Sequence, residues 1–165
     1  MATSIPYQSE IAANAQADGL QPSLLASLLN HESGFNATAT HANANGSVDR
    51  GIAQINNQAH PNVTTAQANN PYFAIPWAAN YLSSKVKGCG SVAGGLQAYN
   101  SGSCSGDTAY SNAIIQGQTA YAGLPGGSGS TSGQSFFGLP VSQMLNWGLI
   151  GILVIVAFIF ILEAI

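Results

Sequence analysis

The sequence predicts a mainly helical α+β domain with one short irregular or hairpin segment, followed by a flexible linker and a single C-terminal membrane-spanning helix. Three observations predict this arrangement. Apolar residues recur at helical spacing through most of the chain up to about residue 122. Within that stretch, residues 36–58 are rich in Asn, Gly and Thr, which suits irregular structure or a short hairpin better than a helix. From Phe136 onward the chain becomes strongly apolar.

The elements can be taken in order. A first helix is expected over Pro6 to Ala17, stopping near Gly19. The second opens at Pro22, whose fixed φ suits the first helical turn, and Leu24, Leu25, Leu28 and Leu29 form its apolar face. Helical patterns return over Pro71–Val86, Val92–Tyr99 and Asp107–Tyr121. No internal repeat is present. These segments make up one domain over 1–122.

Residues 123–135, GLPGGSGSTSGQS, have the composition of a flexible Gly/Ser linker. Residues 136–165 are expected to form a transmembrane anchor. Trp147 through Leu162 contains no charged residue, and with its flanks the span 145–163 approaches the roughly 20 residues needed to cross a hydrocarbon core. A small domain has no means of enclosing a helix that is apolar on every side. Trp147 suits one membrane interface, and Glu163 suits the headgroups at the other end. No Lys or Arg flanks the span, so its orientation stays open. The first twenty residues have neither a basic n-region nor an apolar h-region, so a cleavable signal peptide is not expected.

Charge narrows the partners. Only 5% of residues are charged and the formal net charge is −3, so Arg50, Lys85 and Lys87 are too few to neutralise a run of phosphates. A nucleic-acid partner is therefore not expected. Cys89 and Cys104 are either a bridged pair or two free thiols. No Cys-x-x-Cys or Cys/His metal spacing competes, so a disulfide is expected, closing a loop of about 15 residues worth ~3 kcal/mol and implying an oxidising compartment.

The chemistry starts at Glu32. It lies four residues after Leu28, so its carboxyl stands at the edge of an apolar helix face, where desolvation disfavours the anion and raises the pKa. Breaking a glycosidic bond near neutral pH requires such a proton donor. Taken alone, Glu32 also reads as an ordinary surface glutamate. Its neighbours change that reading. Glu32-Ser33-Gly34-Phe35, then Gly51-Ile52-Ala53-Gln54-Ile55-Asn56, then Ala98-Tyr99-Asn100-Ser101-Gly102 follow one another in an order that resembles the catalytic core of lysozyme-like enzymes, in particular the soluble lytic transglycosylase family. The resemblance spans Ile11 to Tyr121. The segment NGSVDRGIAQIN is most similar to small transglycosylases that accompany secretion systems and phage virions.

That resemblance implies a lysozyme-like α+β fold and cleavage of peptidoglycan glycan strands without a cofactor. Glu32 takes the position of the acid/base, and Ser33, Gln54, Ile55, Asn56, Tyr99 and Asn100 those of the substrate groove. Tyr99 would orient the carboxyl or the substrate. The family's usual Met before the glutamine is Ala53 here, a change expected to affect packing more than chemistry. Chicken-type lysozymes place a second carboxylate 17 residues after the acid, and Asp49 occupies that place. Asp49 is thus either a nucleophile or ion stabiliser in a retaining hydrolysis, or a turn residue accepting backbone hydrogen bonds.

Other candidates are weaker. His31, His41 and His60 lack zinc spacing, so no metal site is expected. There is no Gly-x-Ser-x-Gly elbow. Tyr72, Phe73, Trp77, Tyr110 and Tyr121 read as core residues rather than as a sugar platform. The expected protein is a membrane-anchored muralytic enzyme of a phage virion, with a bacterial inner-membrane enzyme of a secretion or pilus apparatus as the alternative. The non-enzymatic alternative is an inactive wall-binding protein.

Overall fold

The computed structural model describes residues 4–126. Helix α1 (Gln8–Ala17) buries Ile11, Ala12 and Ala15 and ends at Gly19, whose φ of +73° is left-handed. Helix α2 (Pro22–Ser33) starts on its proline and ends on Gly34. Leu24, Leu25, Leu28 and Leu29 are buried, and the helix packs against α1, α6 and the final 3-10 turn. Truncating one of these leucines to Ala would cost about 2–5 kcal/mol.

The Asn-rich segment folds as a small antiparallel sheet in the order β1 (Thr40–Ala42), β2 (Val48–Arg50), β3 (Ile55–Asn56). The register pairs His41 with Asp49, and Asp49 with Asn56. Asp49 is therefore the middle residue of the central strand. Gly51, which follows β2, has φ +72°, and a Cβ there would lie 1.8 Å from the Ala68 carbonyl oxygen. Only glycine lets the sheet approach α3 this closely.

Helix α3 (Thr65–Ala68) was not anticipated from the sequence. It is a single turn held by a capping box between Thr64 and Gln67. Helix α4 (Pro71–Cys89) is capped by the Asn70 side chain, α5 (Val92–Ser101) by Ser91 and α6 (Thr108–Gly117) by Asp107. A 3-10 turn over Gln118–Tyr121 closes the last helix. The expected helix over Asp107–Tyr121 is thus an α-helix that tightens in its final turn. α4 and α5 pack closely because Gly95 has no side chain: a Cβ there would meet Val86 at 2.5 Å.

Cys89 and Cys104 are bridged, with Cα atoms 5.5 Å apart, tying the end of α4 to the loop after α5. The domain runs slightly further than the expected boundary at 122. Leu124 is buried in the core, and the Gln16 amide donates to the Pro125 carbonyl. Residues 123–126 therefore pack on the domain, although the composition of 123–135 reads as a free linker. Among the described residues no helix is long and apolar enough to cross a membrane. The span expected over 145–163 and the rest of the linker lie outside the described residues.

Candidate active site

A cleft of about 780 Å³ opens between the sheet, the end of α2 and one side of α4 and α5. Glu32 lies in the last turn of α2, half-buried and open to the cleft. Burial pushes its pKa up to about 7, the charge of Asp49 adds to the rise, and a hydrogen bond from Tyr110 opposes it. The position also favours the neutral acid, because a helix C-terminus disfavours a negative charge. A carboxyl poised near neutrality gives up and takes back a proton with little bias either way.

Tyr110 donates its hydroxyl hydrogen to Glu32 Oε1 from α6. The tyrosine's own pKa is raised, first by burial and then by the neighbouring carboxylate, so it remains a donor. This corrects the reading of Tyr110 as core: its ring is packed, but its hydroxyl holds the acid in place. The sequence carries no local signal for that contact, since 78 residues separate the partners. His31, exposed beside Glu32, sets its ring edge against Tyr110 at 5.1 Å.

Asp49 faces the same cleft. The Asn43 amide donates to Oδ2 at 2.8 Å and the Asn56 amide to Oδ1 at 2.6 Å. Both amides also donate to Ser47 Oγ, at 3.1 and 2.9 Å. The carboxylate is thus fixed by side chains from both flanking segments, and it pins the β1–β2 turn to β3. Asn43 was not foreseen as a site residue.

The remaining predicted positions divide into two groups. Gln54, Ile55, Asn56, Tyr99 and Asn100 line the cleft with Glu32. Gln54 has a left-handed φ of +46°, and its amide donates to the Gly51 carbonyl at 2.8 Å, so it shapes the groove through the backbone. Tyr99 donates to the Ala53 carbonyl at 3.1 Å rather than to Glu32, and burial raises its pKa. Ser33 is the exception. Its hydroxyl donates to the Ile52 carbonyl at 2.8 Å, tying α2 to the segment after β2, and it is not among the cleft-lining residues.

The aromatic residues also divide. Tyr72, read as core, is 68% exposed. Trp77, read the same way, lines the cleft together with Tyr81 and His60. Phe73 and Tyr121 are partly buried, and Tyr121 packs edge-on against Phe35. Among the described residues no group of three or more His, Cys, Asp or Glu side chains is placed to hold a metal ion.

A mainly helical domain with a short three-stranded sheet and a half-buried acid on an open cleft fits the lysozyme-like α+β fold. Residues 9–120 match the transglycosylase SLT domain, and the chain belongs to that family of lytic transglycosylases, enzymes that act on peptidoglycan. No curated protein matches the chain.

Proposed function

We propose that this protein cleaves the β-1,4 bond between N-acetylmuramic acid and N-acetylglucosamine and leaves a 1,6-anhydromuramic end. The observation that carries this reading is Glu32, a half-buried acid held by Tyr110 with a pKa near 7. Glu32 protonates the glycosidic oxygen as the C–O bond breaks and positive charge develops at the anomeric carbon. The resulting carboxylate then takes the proton of the muramic C6 hydroxyl, whose oxygen attacks that carbon and closes the anhydro ring. Glu32 ends as the acid it began as. The C6 hydroxyl is tethered to the reacting centre, so it outcompetes bulk water by proximity. The Asp49 carboxylate, fixed by Asn43 and Asn56, favours the cationic stage through its charge.

The same Asp49 favours a second reading, hydrolysis by a two-carboxylate lysozyme mechanism. Mass spectrometry of muropeptides released from purified peptidoglycan separates the two. Anhydromuramic ends are expected, whereas reducing ends would replace the transglycosylase with a hydrolase. A folded sample that releases nothing would leave a wall-binding protein.

We place the domain on a membrane, tethered through 136–165, in a phage virion where it opens the wall locally during genome delivery. The uncharged run WGLIGILVIVAFIFIL and the Cys89–Cys104 bridge support that setting. Detection of the protein in purified particles tests it, and its absence there would favour a bacterial inner-membrane enzyme of a secretion apparatus.

A further inference from the structure

The disulfide fastens a loop that begins on the cleft and ends at the helix holding Glu32. It ties the last residue of α4 to the loop 102–106 and so encloses α5, which carries Tyr99 and Asn100 to the cleft. Gly94 lets the bridge lie against the start of α5: a Cβ there would sit 3.0 Å from Cys89 Cβ and 3.4 Å from the Cys104 carbonyl oxygen. Ser101 and Gly102, where the loop begins, line the cleft beside Asn100. Where the loop ends, Asp107 caps α6, and one turn further on Tyr110 reaches Glu32.

Apart from the bridge, little holds this loop. Gly102-Ser103-Cys104-Ser105-Gly106 has no large apolar side chain to bury, and Ser103, Cys104 and Ser105 are exposed. Gly106 packs against Ser101 without a side chain of its own. The hydrogen bonds among Ser101, Ser103 and Ser105 run from 3.3 to 3.4 Å, at the weak end of the range and open to competing water. Helix α6 is anchored beyond its first turn instead. Ser111 and Ile114 are buried, Gln97 donates to Ser111 Oγ at 3.3 Å, and Ser27 donates to the Ile114 carbonyl at 2.7 Å. Thr108 and Ala109 are exposed, so Tyr110 sits where the firm part of the helix meets the part held through the loop. Cys104 is exposed to an attacking thiolate, and exposed bridges are the ones that exchange readily.

We propose that the Cys89–Cys104 bridge is a redox control on cleavage, acting through the loop 102–106 on the hold of Tyr110 on Glu32; this rests on the glycan-cleaving reading above. A dithiol reductant exchanges with the bridge: its two thiols become one disulfide, and Cys89 and Cys104 each gain a hydrogen. The loop and the first turn of α6 then lose their tether while the buried part of α6 stays in place. In a reducing compartment the enzyme is weak, and forming the bridge in an oxidising one switches it on. Full-length protein kept reduced with dithiothreitol should cleave purified peptidoglycan about tenfold more slowly than the bridged form and recover on reoxidation. A double variant, Cys89→Ser with Cys104→Ser, should match the reduced form and ignore dithiothreitol. On reduction, amide hydrogen exchange should rise over residues 102–110 and stay low in α2 and α4. In a Tyr110→Phe background, where the contact with Glu32 is already gone, reduction should cost much less activity. Equal rates in the two redox states would overturn the control. Exchange that rises throughout the domain would overturn it too, because the bridge would then staple the whole fold. An equal fold-loss with and without the Tyr110 hydroxyl would overturn the route to Glu32. Each of those failures leaves the enzymatic reading standing, whereas a folded protein that cleaves in neither state would end that reading and this control together.

Discussion

Replacing Glu32 with Gln should abolish cleavage and, above neutral pH, make the protein more stable. The folded protein holds the Glu32 proton up to about pH 7, against an ordinary value of 4.5. Below the lower value, the folded and unfolded chains are both protonated and ionisation contributes nothing. Between the two values the unfolded chain releases its proton while the folded one retains it, so wild-type stability falls as pH rises. Above pH 7 both are ionised, and the folded state carries the full penalty of burying a carboxylate. At about 1.4 kcal/mol per pH unit the displacement corresponds to ~3 kcal/mol, or nearer 2 once water in the open cleft is allowed for. Gln has nearly the same shape, can still accept from Tyr110, and never ionises. The stability difference between variant and wild type should therefore grow by 2–3 kcal/mol from about pH 4 to about pH 8, on the order of 10 °C in melting temperature. Denaturant titrations of both full-length proteins across that range read it directly, while muropeptide release should drop by about 10³-fold. A stability difference that stays flat with pH would refute the desolvation argument, whatever happens to activity.

Tyr110→Phe removes the hydrogen bond that lowers the Glu32 pKa, so the alkaline limb of the pH–rate profile should move to higher pH, with a stability loss of about 1–2 kcal/mol. Asp49→Asn removes the charge and turns one of the two oxygens that accept from the Asn43 and Asn56 amides into a donor; it should slow cleavage by roughly 10- to 100-fold without changing the anhydro product seen by mass spectrometry. Gly51→Ala forces a Cβ against the Ala68 carbonyl and strains a left-handed backbone, and should cost at least ~3 kcal/mol in a chemical melt.

Local patterns in the sequence determined most of the helical frame and the place of the acid. The leucines of α2 recur at helical spacing, Pro22 marks where the helix starts, and four residues of spacing put Glu32 on the edge of that apolar face. Those are short-range facts, set by backbone geometry and by water's exclusion of apolar surface. The starts of α4 and α5 fall where the pattern puts them, whereas both helices run past the expected Val86 and Tyr99 to left-handed caps at Gly90 and Gly102, and the single turn α3 hangs on the Thr64 capping box. The cysteine pair could be read because few partners were possible.

Tertiary structure decided everything that depends on two distant segments meeting. Periodicity shows that an aromatic residue lies on one face of a helix, but not whether core or cleft lies opposite. Tyr110 and Trp77 read alike in the sequence, yet one holds Glu32 and the other lines the cleft wall. Ser33 sits beside the acid in the chain but turns its hydroxyl to the Ile52 carbonyl. Asp49 reads in the sequence as turn residue or second carboxylate, and only strand register puts its carboxylate between the Asn43 and Asn56 amides on Glu32's cleft. The sequence determined which groups were available for catalysis, whereas long-range packing, which no local pattern encodes, determined which of them share the cleft.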